Sequence, residues 1–237
     1  MGKLLRRLGI ALAAVVLLVG GLAGWAYYAS QQVPDFYRRA LAEPPADQEQ
    51  KSDAFLTEAT ELYNELRRQG RWEALFTADE INCWLAVDLA RNHAASLPPG
   101  VSDPRVAFTE GGIILACRYQ TPKISTVLSL HVDAYLTESN VLALRFRKAR
   151  AGNLPLPMAE VLDNLSREAA RHNIPVRWLQ KDSDPVALIS MPPPAKDQKL
   201  VYSVDTVRIG EKGIYVAGTS APRTAHADDP VQHLPSR

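Results

Sequence analysis

From Leu8 to Pro34 the chain carries no charged residue, and LGIALAAVVLLVGGLAGWAYYA within that stretch is almost wholly apolar. A helix needs about 20 apolar residues to cross a bilayer core, so the run predicts a transmembrane helix. The pattern then turns polar. Residues 31–52 hold Pro34, Pro44 and Pro45 among charged and amide side chains. They predict a juxtamembrane stalk with one short helix around Asp35–Ala42. From Asp53 to Gln69 apolar residues recur every three or four positions, at Phe55, Leu56, Ala59, Leu62, Tyr63 and Leu66, and Gly70 follows. That is an amphipathic helix with its stop. Trp72, Leu75 and Phe76 read as a short link. Thr77 and Glu80 make a capping box, in which hydroxyl and carboxylate satisfy the first free N–H groups of a helix. This second helix carries Ile81, Trp84, Leu85 and Leu89 on one side and ends by Pro98-Pro99-Gly100.

Beyond Gly100 the period falls to two. Strands are predicted over Arg105–Thr109, Ile113–Gln120, Ser125–Thr137 and Val141–Ala149, with turns at Glu110–Gly112 and Glu138–Asn140. In the third, Leu128, Leu130, Val132, Ala134 and Leu136 share one face, and Ser129, His131, Asp133 and Tyr135 the other. In the fourth, Leu142, Leu144 and Phe146 oppose Arg145 and Arg147. Such alternation predicts a half-buried antiparallel sheet of sequential strands. Gly152-Asn-Leu-Pro-Leu-Pro157 interrupts it. Met158–His172 is a helix with Val161, Leu162, Leu165 and Ala169 on its stripe. Val176–Leu179 and Val186–Met191 are shorter strands, and Leu200–Ile209 with Gly213–Thr219 a last hairpin. The polar tail, residues 220–237, predicts disorder. The order gives an α+β fold. One exported domain, residues 53–219, with a curved antiparallel sheet packed by helices, follows an N-terminal transmembrane helix (residues 1–30 with the cytoplasmic stub) and a stalk (residues 31–52).

Charge sets the orientation. Lys3, Arg6 and Arg7 precede the apolar run and no acidic residue comes before Asp35. The positive-inside rule puts the N-terminus in the cytoplasm and everything after about residue 30 outside it. The expectation is a single-pass protein of the cytoplasmic membrane, with residues 8–30 in the bilayer and an extracytoplasmic C-terminal domain. Trp25, Tyr27 and Tyr28 fall at headgroup level. A cleaved signal peptide is the rival, but its apolar region is about 7–15 residues long. Here the run is longer, and those bulky rings stand where cleavage would fall. No cysteine follows the run, so lipoprotein processing is excluded. Gly20-Gly21 and Gly24 are either a helix-packing face or ordinary membrane-helix glycines. With 27 Lys and Arg against 26 Asp and Glu, three of the cations ahead of the run, the exported part is near neutral. Nothing in that balance points to nucleic acid.

No motif for metal, nucleophile or phosphate binding stands out: there is no H-E-x-x-H, no C-x-x-C pair, no G-x-S-x-G. No enzyme, metal or cofactor is expected. His131 and Asp133 on one strand face fit a solvated polar face better than a ligand pair. His93 and His172 suit helix C-termini. Cys83 and Cys117 either form a disulfide tying helix to sheet or remain separate thiols. What remains is the apolar sheet face of Leu128, Leu130, Val132, Leu136, Leu142, Leu144 and Phe146. Fully covered by the helices, it is a core; left open, it is a groove for acyl chains.

Phe76-Thr-Ala-Asp-Glu-Ile-Asn82 at a helix start, Pro98-Pro-Gly-Val-Ser-Asp-Pro104 leading into a strand, a glycine hairpin, and Gly152-Asn-Leu-Pro-Leu-Pro157 before a helix carry a resemblance. Over roughly residues 72–219 the chain resembles bacterial envelope proteins of the YpmS, LmeA and YceB kind, which are similar in build to TULIP-like lipid-binding domains. The resemblance implies a hydrophobic trough for lipid and carries over no catalytic residue. Unlike the lipoprotein members, this chain has a spanning anchor. Two functions are therefore expected: a non-enzymatic binder of lipid or another apolar ligand at the outer face of the cytoplasmic membrane, or a structural or docking component of an envelope protein complex.

Overall fold

The computed structural model describes residues 21–223 apart from 23, 43, 123, 182–183 and 192–198. The chain is α+β. Its larger sheet is antiparallel, in the order β2 (Val101–Thr109), β3 (Gly112–Gln120), β4 (Ser125–Glu138), β5 (Val141–Ala151), β8 (Asp184–Ser190), β7 (Val176–Lys181). A two-residue strand, β6 (Leu154–Pro155), also pairs with β5. A smaller antiparallel sheet has β10 (Gly213–Pro222) between β1 (Gly70–Thr77) and β9 (Leu200–Gly210). The sequential hairpins are as the alternation predicts.

Three differences from the sequence expectation matter. Trp72, Leu75 and Phe76 belong to a strand, β1, not a link. Its partner is more than a hundred residues away, with Gly70 opposite Ser220, so no local pattern announces it. The polar segment 31–52 carries the expected short helix as α2 (Asp35–Leu41), but then the first turns of α3 (Pro45–Glu65). Pro45 opens α3 instead of punctuating a stalk, because a helix's first turn has no use for the missing N–H. Tyr37, at the centre of α2, is fully buried. Finally, residues 220–222 of the expected tail complete β10, and the buried Ser220 hydroxyl donates to the Leu66 carbonyl at 2.9 Å.

Residues 24–30 are helical (α1). Among the described residues no helix is long and apolar enough to cross a membrane; most of the predicted span, residues 8–20, lies outside them. The capping box forms as expected at α4 (Ala78–Trp84), with Thr77 Oγ1 accepting from the Glu80 N–H and Glu80 accepting from the Thr77 N–H. The helix then widens into a π turn over Leu85–Leu89 and closes with α5 (Ala90–Asn92). After the sheet breaks at Gly152, α6 (Met158–Arg171) crosses its apolar face.

The free edge of strand β2 is gripped at Val106 by the Asn82 side chain. The buried Asn82 of α4 donates to the Val106 carbonyl (2.8 Å) and accepts from the Val106 N–H (2.7 Å). A carboxamide thus stands in for a neighbouring strand. Asn140 does the same at the β4–β5 turn, accepting from the Val204 N–H at 2.8 Å and donating to the Tyr202 carbonyl at 3.4 Å. Strand β9 thereby lies across the hairpin tips, where Gly111 N–H also donates to the Ile209 carbonyl. Asn82→Ala is expected to lower stability by about 1–2 kcal/mol, because it leaves two part-buried backbone groups of Val106 unanswered. A urea melt checks this; an unchanged midpoint would mean that water replaces the carboxamide at no cost.

Candidate apolar groove

Register decides which side chains share the face. On β4 the even residues point one way. Opposite them on β5 stand Ala151 against Leu128 and Ala149 against Leu130, then Phe146 against Val132, Leu144 against Ala134 and Leu142 against Leu136. The odd and even residues of β5 meet on one face because Arg147 is a β-bulge: His131 pairs Lys148 and Val132 already pairs Phe146. The sequence reading placed Leu142, Leu144 and Phe146 on the apolar face, which holds. It missed the bulge, and with it Ala149 and Ala151. Arg147 reaches two carboxylates, Asp133 and Asp184, each at 2.6 Å. Both hydrogen bonds raise its pKa.

The two halves of this face have different fates. Toward the β4–β5 turn, α6 closes it. Met158, Leu162 and Leu165 pack with Val132, Leu144 and Phe146, and Trp178 of β7 stacks at a tilt 5.6 Å from Phe146. Val132 and Phe146 are only 4% and 5% exposed. These three predicted groove residues are core, because a helix lies on them. Leu136 and Leu142, farther along, do not border the groove either. Leu128 and Leu130 do.

The groove itself is a cavity of about 440 Å³ in the other half. Val101, Pro104 and Val106 of β2, Leu115 and Cys117 of β3, Leu128 and Leu130 of β4 and Ala149 of β5 make its floor. Leu85 from the π turn walls one side, and Leu156 with Val161 and Leu165 of α6 the other. Arg105, Ala116, Ser129 and Arg150 border it from positions whose alternation turns their side chains to the opposite face. Leu115, on the floor, is 43% exposed. Small Ala149 opposite Leu130 leaves the room that a leucine there would fill. Most of the floor was missed in the sequence reading. The signal was the alternation of Ile113, Leu115 and Cys117, which only the β3–β4 register joins to Leu128 and Leu130.

The opposite face is sealed at this end by α2. Tyr37 packs on Ala116 and Val127, and its hydroxyl donates to the Asp103 carbonyl at 2.8 Å. Burial, and after it Asp103, pushes the phenol up to about 12. The buried Arg105 donates to the Ala40 carbonyl at the end of α2 and to the Pro104 carbonyl; burial pulls its guanidinium down. His131 and Asp133 lie on this polar face. Burial, then Arg150 and Lys148, keep the imidazole below its usual range, and Asp133 is engaged by Arg147. Cations, not further ligands, surround the pair. Among the described residues no group of three His, Cys, Asp or Glu side chains gathers as a metal site would. His93 lies 3.7 Å from Asp88, and His172 ends α6.

The disulfide alternative is not realised: neither cysteine is in a disulfide, Cys83 being buried and Cys117 partly buried. They line different hollows. Cys83 faces one beside Phe36, Arg39 and Asn82, and Cys117 faces the groove. Burial raises the Cys117 thiol above the usual range, so less thiolate is present at any given pH. One thiol per folded chain is expected to react with an apolar maleimide, more slowly than a free cysteine at pH 8 and still accelerating above pH 9. Mass mapping of the adduct checks the site; a faster-than-free reaction would contradict the apolar setting. Neither family models, nor curated proteins, nor solved structures yield a match to this chain.

Proposed function

We propose that the protein is a membrane-anchored, non-enzymatic binder of lipid or another apolar ligand at the outer face of the cytoplasmic membrane. The observation that supports this is the open apolar groove, floored by Leu115, Cys117, Leu128 and Leu130, into which, among the described residues, no charged side chain is turned by the strand alternation. Its size lies in the ligand-site range of about 300–1,000 Å³. A methylene takes about the room of a water molecule, ~30 Å³, so the cavity holds on the order of 15 such groups. That is one acyl chain. The resemblance to the YpmS, LmeA and YceB group points the same way.

The mechanism is physical. The anchor of residues 8–30 keeps the domain beside the bilayer and raises the local lipid concentration. A chain moving from bilayer to groove exchanges one apolar surrounding for another. Net hydrophobic gain is small, and the transfer is reversible. A second reading, a docking component of an envelope complex, has its own support. Leu56 and Leu75 are exposed large apolar side chains, the latter on edge strand β1, whose Leu75 N–H meets only Glu58 at 3.4 Å.

The full chain in phosphatidylethanolamine–phosphatidylglycerol vesicles, with a trace of phospholipid bearing a diazirine acyl chain, tests the first reading. Photolysis is expected to label peptides around Leu115 and Leu128 as well as the N-terminal helix. Leu115→Asp and Leu128→Asp should each cut the sheet labelling about tenfold or more, a loss of ~1.4 kcal/mol, with helix labelling and the thermal midpoint unchanged. Labelling confined to the N-terminal helix in the unaltered chain would sink the lipid reading and leave the docking one.

A further inference from the structure

The C-terminal end of α1 is not followed by a free tether. Its last carbonyls are taken up by the domain. The Ala29 carbonyl accepts from the Asn153 N–H at 2.8 Å, and the Ser30 carbonyl accepts from the Thr126 hydroxyl at 2.5 Å. Gly152, at φ +57°, lies directly beneath them. A β-carbon there would stand 2.5 Å from the Ala29 oxygen, 2.6 Å from that of Ser30 and 2.8 Å from that of Gln32. Ala29 is itself buried. After the four residues 31–34, α2 begins and Tyr37 locks into the opposite face. The chain therefore clasps one end of the sheet between α1 and α2, and the orientation of α1 to the sheet is set.

That end is also where the apolar surface collects. Trp25, Tyr27 and Tyr28 of α1 are each more than three-fifths exposed. Val33 follows. The β3–β4 turn, at the same end, holds Ile124 outward, 50% exposed. The turn is fixed by the Thr121 N–H donating to the Ile124 carbonyl (2.7 Å) and the Ile124 N–H donating to the Thr121 hydroxyl (3.1 Å). The groove lies in this half of the sheet. Leu128 is two residues from Thr126, and Ala151, paired with Leu128, is the neighbour of Gly152.

We infer that this end of the domain is a bilayer-docking surface: the seated α1 presses the β3–β4 turn, led by Ile124, into the headgroup region, so that the groove meets the membrane directly. The partner is the lipid surface itself. Aromatic rings on α1 match the interface chemically, and a fixed joint rather than a stalk keeps Ile124 at their depth. The inference rests on the anchored, lipid-binding reading above and adds the route: a chain enters from the outer leaflet at the clasped end, not after release into solution.

The test uses the full chain in the same vesicles, in a Cys117→Ser background. A fluorophore is placed at Ile124→Cys or, at the opposite end in the β2–β3 turn, at Glu110→Cys. Lipid spin-labelled near the headgroup is expected to quench the probe at 124 several-fold more than that at 110. Unseating α1 by Gly152→Ala, or more gently by Thr126→Val, should bring quenching at 124 down toward the value at 110, with the melt still cooperative. Equal quenching at both sites would overturn the docking surface, even where diazirine labelling of the groove succeeds. Quenching at 124 that ignores both unseating variants would overturn the role of the clasp. Strong quenching at 124 without groove labelling would uphold the docking surface and count against the lipid site alone.

Discussion

A single extra residue in β5 governs what the large sheet can do. Without the bulge at Arg147, strict alternation would carry Leu142, Leu144 and Phe146 on one face and Ala149 and Ala151 on the other. Lys148 and Arg150 would then stand opposite Leu130 and Leu128, and the greasy face would end in charge. The bulge flips the phase once, at mid-strand. It turns the small residues inward where space is left and the large ones inward where α6 packs. Its own side chain is pinned on the polar side between Asp133 and Asp184, so the local kink and its side-chain anchor come from the same residue.

Core and groove are thus two ends of one surface, and the difference between them is coverage. One fourteen-residue helix, α6, cannot roof a sheet this wide. It closes the half around Val132 and Phe146 and leaves Leu115 in reach of water. A leucine that stays half exposed forgoes about 1 kcal/mol of burial. The π turn at Leu85–Leu89 accompanies this opening, placing Leu85 at its rim; such turns concentrate at functional sites in proteins.

Local periodicity made the fold class, the capping box, the strands β2–β5 and α6 legible, because each is a regular pattern longer than its neighbours' noise. It also found the seven-residue apolar face. It could not divide that face, since division depends on the bulge and on where α6 comes to rest. Strand β1 was hidden for a different reason: it is short, and its partner is contributed from the far end of the chain. The reading of residues 31–52 as a stalk failed on composition. Prolines and charges are common to linkers and to helix starts, and only the burial of Tyr37 and Arg105 tells them apart.

Two of the short motifs that carry the resemblance have mechanical meanings. In Phe76-Thr-Ala-Asp-Glu-Ile-Asn82, threonine and glutamate start the helix and asparagine clamps the β2 edge. In Gly152-Asn-Leu-Pro-Leu-Pro157, the glycine and the asparagine N–H seat the end of α1, and Leu156 faces the groove. Both are chiefly devices for docking one backbone on another. They hold a groove open at a fixed place beside α1 without touching most of what lines it. Any apolar ligand would be selected elsewhere, by the floor: the breadth left by Ala149, the reach of Leu115 and the width between Leu85 and Val161. Motif and specificity are therefore carried by different residues, and a chain that kept both motifs while exchanging Ala149 for leucine would keep this fold and lose this cavity.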